Sequence, residues 1–243
     1  MRHGESAGNV ARDAAHQAGL ERIDVRDRDV DVPLSERGLQ QAESLGTWFA
    51  ELAADDRPDV VITSPYLRAR DTAAAVARAG GLAGSTTMAT SDERLREREF
   101  GILDRLTSTG IRELFPEQAE LRRQVGKFYH RPPGGESWCD VILRLRSALD
   151  TMVLHYAGRR ILIVTHQVVI LCLRYLMENM TEADILEIDA QADVANCSVT
   201  EYALGQGAGP TQAPALIRYN SISHLKHTGA AVTREPDKAR APR

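Results

Sequence analysis

The stretch that most constrains this chain is Arg160-Ile161-Leu162-Ile163-Val164-Thr165, an uninterrupted, β-branched apolar run. A run of that length with no polar alternation suits a parallel strand covered on both faces. Asp59-Val60-Val61-Ile62-Thr63 is a second, ending at Ser64-Pro65; Ser198–Ala203 and Ala215–Tyr219 are weaker strand candidates. Helical periodicity lies between them. From Ser35 to Ala54, Leu39, Ala42, Leu45, Trp48, Phe49 and Leu52 recur at steps suited to one helix face. Pro65–Ala79 is alanine-rich and stops at Gly80-Gly81, Ser137 caps a helix running to Tyr156, and His166–Met177 is apolar all round, as a buried helix is. Strands alternating with helices predict an α/β layer fold with a largely parallel sheet.

Composition removes most other classes. With 43% apolar residues and 30 Lys+Arg against 34 Asp+Glu, a net charge of −4, the chain lacks the basic excess of a dedicated nucleic-acid binder. No stretch reaches the ~18 apolar residues of a membrane span, so no membrane partner is expected. Cys139, Cys172 and Cys197 are scattered among apolar residues without a CxxC pair, which predicts buried thiols in a reducing, cytoplasmic setting and no structural zinc. The length of 243 residues fits one domain, expected over 1–227. Residues 99–135 are polar, with two short helix-like pieces, and are expected to cross the ligand edge of the sheet. Residues 228–243, small, charged and Pro-containing, are expected to be a disordered tail.

Three segments concentrate chemistry: Arg2-His3-Gly4-Glu5-Ser6-Ala7-Gly8-Asn9, Ser64 to Thr72 after one strand, and Thr165-His166-Gln167 after the other. Parallel α/β sheets bind ligands at the carboxyl ends of their strands, so Arg68 and His166 should meet at one edge, with His3 in a suitable turn to join them. Two histidines and two arginines there suit a phosphoryl group. Guanidinium forks match its oxygens, a neutral imidazole can attack phosphorus, and a second histidine can donate to the developing charge. A dinuclear metal hydrolase would need clustered ligands such as HxHxDH, which the sequence lacks; no metal and no cofactor are expected.

Arg2-His3-Gly4-Glu5 with Ser6 and Asn9 resembles the signature of the histidine phosphatase superfamily, the phosphoglycerate-mutase-like proteins. Pro33 to Gly38, Ser64-Pro65 with Arg68-Ala69 and Thr72, Leu95-Arg96-Glu97 with Phe100-Gly101, Thr165-His166, and Asn220 to Leu225 resemble further motifs of that family, in its order. The resemblance implies a three-layer α/β/α fold around a mostly parallel sheet. It implies His3 as the phosphorylated nucleophile, a phosphate pocket of Arg2, Asn9, Arg68 and His166, and Glu97 as the proton donor, with Glu99 its rival. Family members have an apolar strand before the arginine–histidine motif. The resemblance therefore implies a natural start upstream of Met1; otherwise His3 would lie two residues from a fraying terminus.

Substrate choice is less defined. Arg122-Arg123 is similar to a basic pair of the mutases, but Gln167 stands where mutases have glycine. Arg131 to Ser137 with His166-Gln167 is similar to the fructose-2,6-bisphosphatase branch, although Gly134 and Leu171 replace its lysine and arginine. The expectation is a phosphomonoesterase acting on a small phosphorylated metabolite. Gln167, Arg131, Tyr129 and Arg123 are the candidates for holding the rest of the substrate, and a second anionic group would suit those arginines. A phosphoglycerate mutase and a catalytically silent phosphate-binding module are the alternatives. His130, in the segment expected to cover the pocket, is the further histidine of interest.

Overall fold

In the computed structural model, which describes residues 1–82, 89–204 and 214–234, the two apolar runs form adjacent parallel strands. They are β1 (Val60–Thr63) and β3 (Ile161–Val164), with β2 (Ala89–Ser91) pairing parallel to the far side of β1. Side chains of a strand alternate between faces. Val60 and Ile62 enter one apolar cluster with Trp138, Val141, Leu145 and Val168. Val61, Leu162 and Val164 enter another, with Leu45, Phe49, Ala69 and Val76. Both faces of the sheet are thus covered, which is why these runs show no polar alternation.

The first cluster is built by α6 (Trp138–His155) and α7 (Gln167–Met177), the second by α2 (Glu36–Glu51) and α3 (Leu67–Ala79). Helix α6 begins in a capping box between Ser137 and Asp140. Helix α7 is buried from Gln167 through Arg174. A separate antiparallel pair, β4 (Val199–Ala203) and β5 (Ala215–Ser221), follows α8 (Glu182–Gln191), and α9 (Ser223–Thr228) packs on α2.

Among the described residues no strand precedes α1 (Ala7–Gln17), yet Met1–His3 lie where one would run. Thr165 N donates to Met1 O, His3 N to Thr165 O and Met1 N to Ile163 O, while on the other side Arg2 N donates to Ser198 O and Cys197 N to His3 O. The segment thereby links the parallel sheet to the antiparallel pair, and Met1 is 6% exposed. His3 is held by backbone hydrogen bonds on both sides.

The segment after α9 differs from the expected tail. Gln41 Nε2 donates to Ala231 O and Thr233 Oγ1, Asn196 N donates to Thr233 O, and Thr233 Oγ1 donates back to Asn196 Oδ1. Gln41 and Asn196 are fully buried, and residues 231–233 supply partners that they would otherwise lack. Residues 235–243 lie outside the described residues. Of the 99–135 segment, the stretch around Phe100–Leu106 borders the ligand edge. Helices α4 (Ser108–Leu114) and α5 (Pro116–Tyr129) follow it.

Candidate active site

The carboxyl ends of β1 and β3 and the turn after Met1 converge on one open cleft. Its lining includes Arg2, His3, Asn9, Arg68, Glu97 and Gln167. The loop carrying His3 is fixed by close backbone packing. Ser35 N donates to Glu5 O and Ala7 N to Pro33 O, and Glu5 bonds Ser35 Oγ and Arg37. A Cβ on Gly4 would stand 2.4 Å from Gly38 O, and one on Gly38 only 1.9 Å from Glu5 O, so both positions require glycine. Gly4 N donates to Thr72 Oγ1, whose hydroxyl donates to Arg68 O, tying the loop to the first turns of α3.

The His3 ring is defined by its own backbone. Nδ1 lies 2.7 Å from Gly4 O, an acceptor only, so Nδ1 carries the proton and Nε2 keeps its lone pair. Burial, then the charges of Arg68 and Arg2, hold the His3 pKa well below its usual value, so the ring is neutral near pH 7. His166 lies edge-on to it at a centroid separation of 5.0 Å, and its Nε2 is 2.7 Å from Ser64 Oγ. Burial foremost, followed by Arg68 and His3, keeps His166 neutral as well.

Arg2 Nη1 donates to Gln167 Oε1 at 3.1 Å and to Val194 O at 2.5 Å. Gln167 therefore orients Arg2 as well as lining the cleft. Asn9 closes the capping box of α1: its Oδ1 accepts from Ser6 N and Oγ, leaving the side-chain NH2 to donate elsewhere. Arg68, at the start of α3 and stacked over Tyr66 at 4.8 Å, is paired bidentately with Asp29, at 3.1 and 3.3 Å. Glu97 lines the cleft with Oε2 3.7 Å from His166 Nδ1, and its Oε1 accepts from Arg98 N. Its rival Glu99 is outside the lining; it accepts from Tyr66 OH at 2.9 Å, and its backbone is held by Glu136.

Three expected substrate residues do not line the cleft. Arg131 is drawn to Asp140, the capping-box carboxylate of α6, and Arg123 pairs with Glu120 one turn back on α5. Tyr129 follows the kink at Gly126, whose φ is 83°, is 54% exposed and bonds Glu182. His130 lines a second, smaller cavity with Arg98, Gln118 and Arg122. The cleft instead contains Arg12, Asp29, Asp104 and Arg105, none of them singled out in the sequence, with Ile23, Val25, Val32 and Phe100 as its apolar wall. Arg12 was detectable: Ser6 as N-cap and Asn9 three residues on announce α1, whose geometry carries Arg12 to the face of Asn9. Among the described residues no cluster of three or more His, Cys, Asp or Glu is arranged for a metal ion, and no helix is long and apolar enough to cross a membrane.

Relatives share both sequence and fold. The Yersinia pestis (strain Pestoides F) protein named "Probable phosphoglycerate mutase GpmB" is 33% identical over 175 residues, 71% of this chain and 70% of its own. The solved structure of Bacillus stearothermophilus YhfR superposes with a TM-score of 0.70 at 27% identity, covering 92% of this chain and 96% of its own. The alpha-ribazole phosphatase of Shigella flexneri shares the fold at a TM-score of 0.69 and 22% identity, covering 91% and 94%. Residues 1–213 match the histidine phosphatase superfamily (branch 1), and with the shared fold this makes the chain a member of that superfamily.

Proposed function

We propose that this protein is a phosphomonoester hydrolase that works through a phosphohistidine on His3, with a small phosphorylated metabolite as substrate. The observation that carries this reading is the His3 ring itself: neutral, its Nδ1 proton held by Gly4 O, its ring edge-on to His166 and facing a cleft that Arg2 and Arg68 also line. In the first step Nε2 attacks phosphorus. The bond from phosphorus to the ester oxygen breaks, and that oxygen leaves with the electron pair and takes a proton from Glu97. Arg2, Arg68, the Asn9 amide and His166 hold the phosphoryl oxygens and offset their charge. In the second step water attacks the phosphohistidine, Glu97 takes the water proton, and the P–N bond breaks to release inorganic phosphate and neutral His3. No step calls for a metal. The free thiols of Cys139, Cys172 and Cys197 are in keeping with a reducing, cytoplasmic location.

A phosphoglycerate mutase is the second reading, favoured by the 33% identical relative bearing that name. In that case the phosphoryl group on His3 returns to an alcohol instead of passing to water. One experiment separates the two: phosphate release from an aryl phosphate in excess EDTA, beside phosphoryl exchange between 3- and 2-phosphoglycerate, for the native chain and His3→Ala. Hydrolysis that survives EDTA and disappears in His3→Ala is expected. Exchange without release would select the mutase, and neither activity in a folded protein would select a silent binding module.

A further inference from the structure

Four arginines line the cleft, and three of them are engaged by the protein. Arg2 donates to Gln167 and Val194, Arg68 to Asp29, and Arg105 to Val25 O and Asp27 O, with Asp104 beside it. Arg12 differs. Its Nε is buried without a hydrogen-bond partner, and no hydrogen bond or ion pair engages its guanidinium among the described residues. The adjacent Asp13 interacts with it electrostatically but is itself exposed. A buried guanidinium Nε with no acceptor is unfavourable unless a ligand completes it.

Its placement says which part of a ligand that would be. Gly8, Asn9 and Arg12 all line the cleft from α1, at i, i+1 and i+4 of one helix face. Asn9 belongs to the phosphate pocket; Arg12 is about one turn further, roughly 4.5–5.5 Å along the axis. Arg12 also depresses the His3 pKa less than Arg68 or Arg2 does, in keeping with the greater distance. The same cleft has an apolar wall of Ile23, Val25, Val32 and Phe100, with Val32 packed beside Gly8 of α1.

We propose that Arg12 binds a second anionic group on the substrate. The preferred substrates are then phosphomonoesters with a carboxylate or second phosphate a few bonds from the ester oxygen, across a short uncharged linker. This rests on the phosphomonoesterase reading above and assigns to Arg12 the role that the sequence suggested for Arg131 and Arg123.

The test uses three probes whose leaving alcohols share a three-carbon chain and differ at its far end: propyl phosphate, 3-phosphooxypropanoate and propane-1,3-diol bisphosphate. The native protein should favour the two anionic-tailed esters in kcat/KM by about tenfold or more, the scale of one charge-assisted hydrogen bond. Arg12→Gln should bring that ratio close to one, and Arg12→Lys should restore part of it; which anionic probe loses more identifies the group that is read. An unchanged ratio in Arg12→Gln overturns the proposal. A second arm does not depend on turnover: calorimetric binding of the same probes to His3→Ala protein. If no ester is hydrolysed, the phosphatase reading fails. Arg12 then stands or falls on whether Arg12→Gln, in the His3→Ala background, abolishes the preference for anionic tails in binding.

Discussion

Asp29 is the residue whose removal should improve phosphate binding. Its carboxylate occupies Arg68 bidentately, at 3.1 and 3.3 Å, and its carbonyl accepts from Arg68 Nη1 at 2.6 Å. A phosphate entering the pocket must share Arg68 with this carboxylate and accept its negative charge nearby. Asp29 is 46% exposed at its side chain, so screening reduces the effect from the 1.5–3 kcal/mol of a charged hydrogen bond to about 1 kcal/mol. Asp29→Asn keeps the carbonyl contact and the side-chain shape while removing the charge. Inorganic phosphate, measured as a competitive inhibitor of aryl phosphate hydrolysis, should then bind about fivefold more tightly, a factor that corresponds to about 1 kcal/mol. Turnover should fall if phosphate release limits it. Weaker phosphate inhibition in Asp29→Asn would refute this reasoning, because it would mean that the pair orients Arg68 for phosphate rather than competing with it.

Other expectations follow from the same geometry. Glu97→Gln should lower kcat by ~10²-fold or more on an alkyl phosphate and much less on 4-nitrophenyl phosphate, whose leaving group needs no proton; equal losses on both would remove Glu97 from the acid role. Gly38→Ala places a Cβ 1.9 Å from Glu5 O and should destabilise the fold by about 3 kcal/mol, read as a lowered denaturant midpoint; a midpoint equal to that of the native chain would show that the Glu5 loop yields freely. His130 and His224 have pKa values lowered to about 4 by burial, and His3 and His166 lie well below 6.5. The unfolded chain therefore binds more protons than the native state below pH 6.5. Stability should be fully present above that pH and fall as pH drops toward 4, by up to about 1.4 kcal/mol per histidine per pH unit; a Tm independent of pH between 7 and 5 would contradict the burial argument.

The parts of the site that were legible in the sequence are those set by short-range rules. His166 follows β3 directly and Arg68 follows β1 by a few residues, so the rule that ligands sit at the carboxyl ends of parallel strands brings them together before any contact is known. The residues that sequence misplaced are governed by competing partners. Arg131 lies in the expected excursion but is captured by Asp140, a carboxylate that also caps α6. Arg123 is held by Glu120, an i,i+3 pair readable from spacing once the helix is granted. Asp29 could not be found this way: its pair with Arg68 spans two segments that only the tertiary fold brings together. Glu97 and Glu99 are the most instructive pair. They are chemically alike and two residues apart, and nothing local separates them. Tyr66 does so, because its hydroxyl needs an acceptor and takes Glu99, while Glu97 is left at the cleft beside His166. The proposed acid is thus selected by where the neighbouring phenol finds its hydrogen bond, a choice made by packing after the chain has folded.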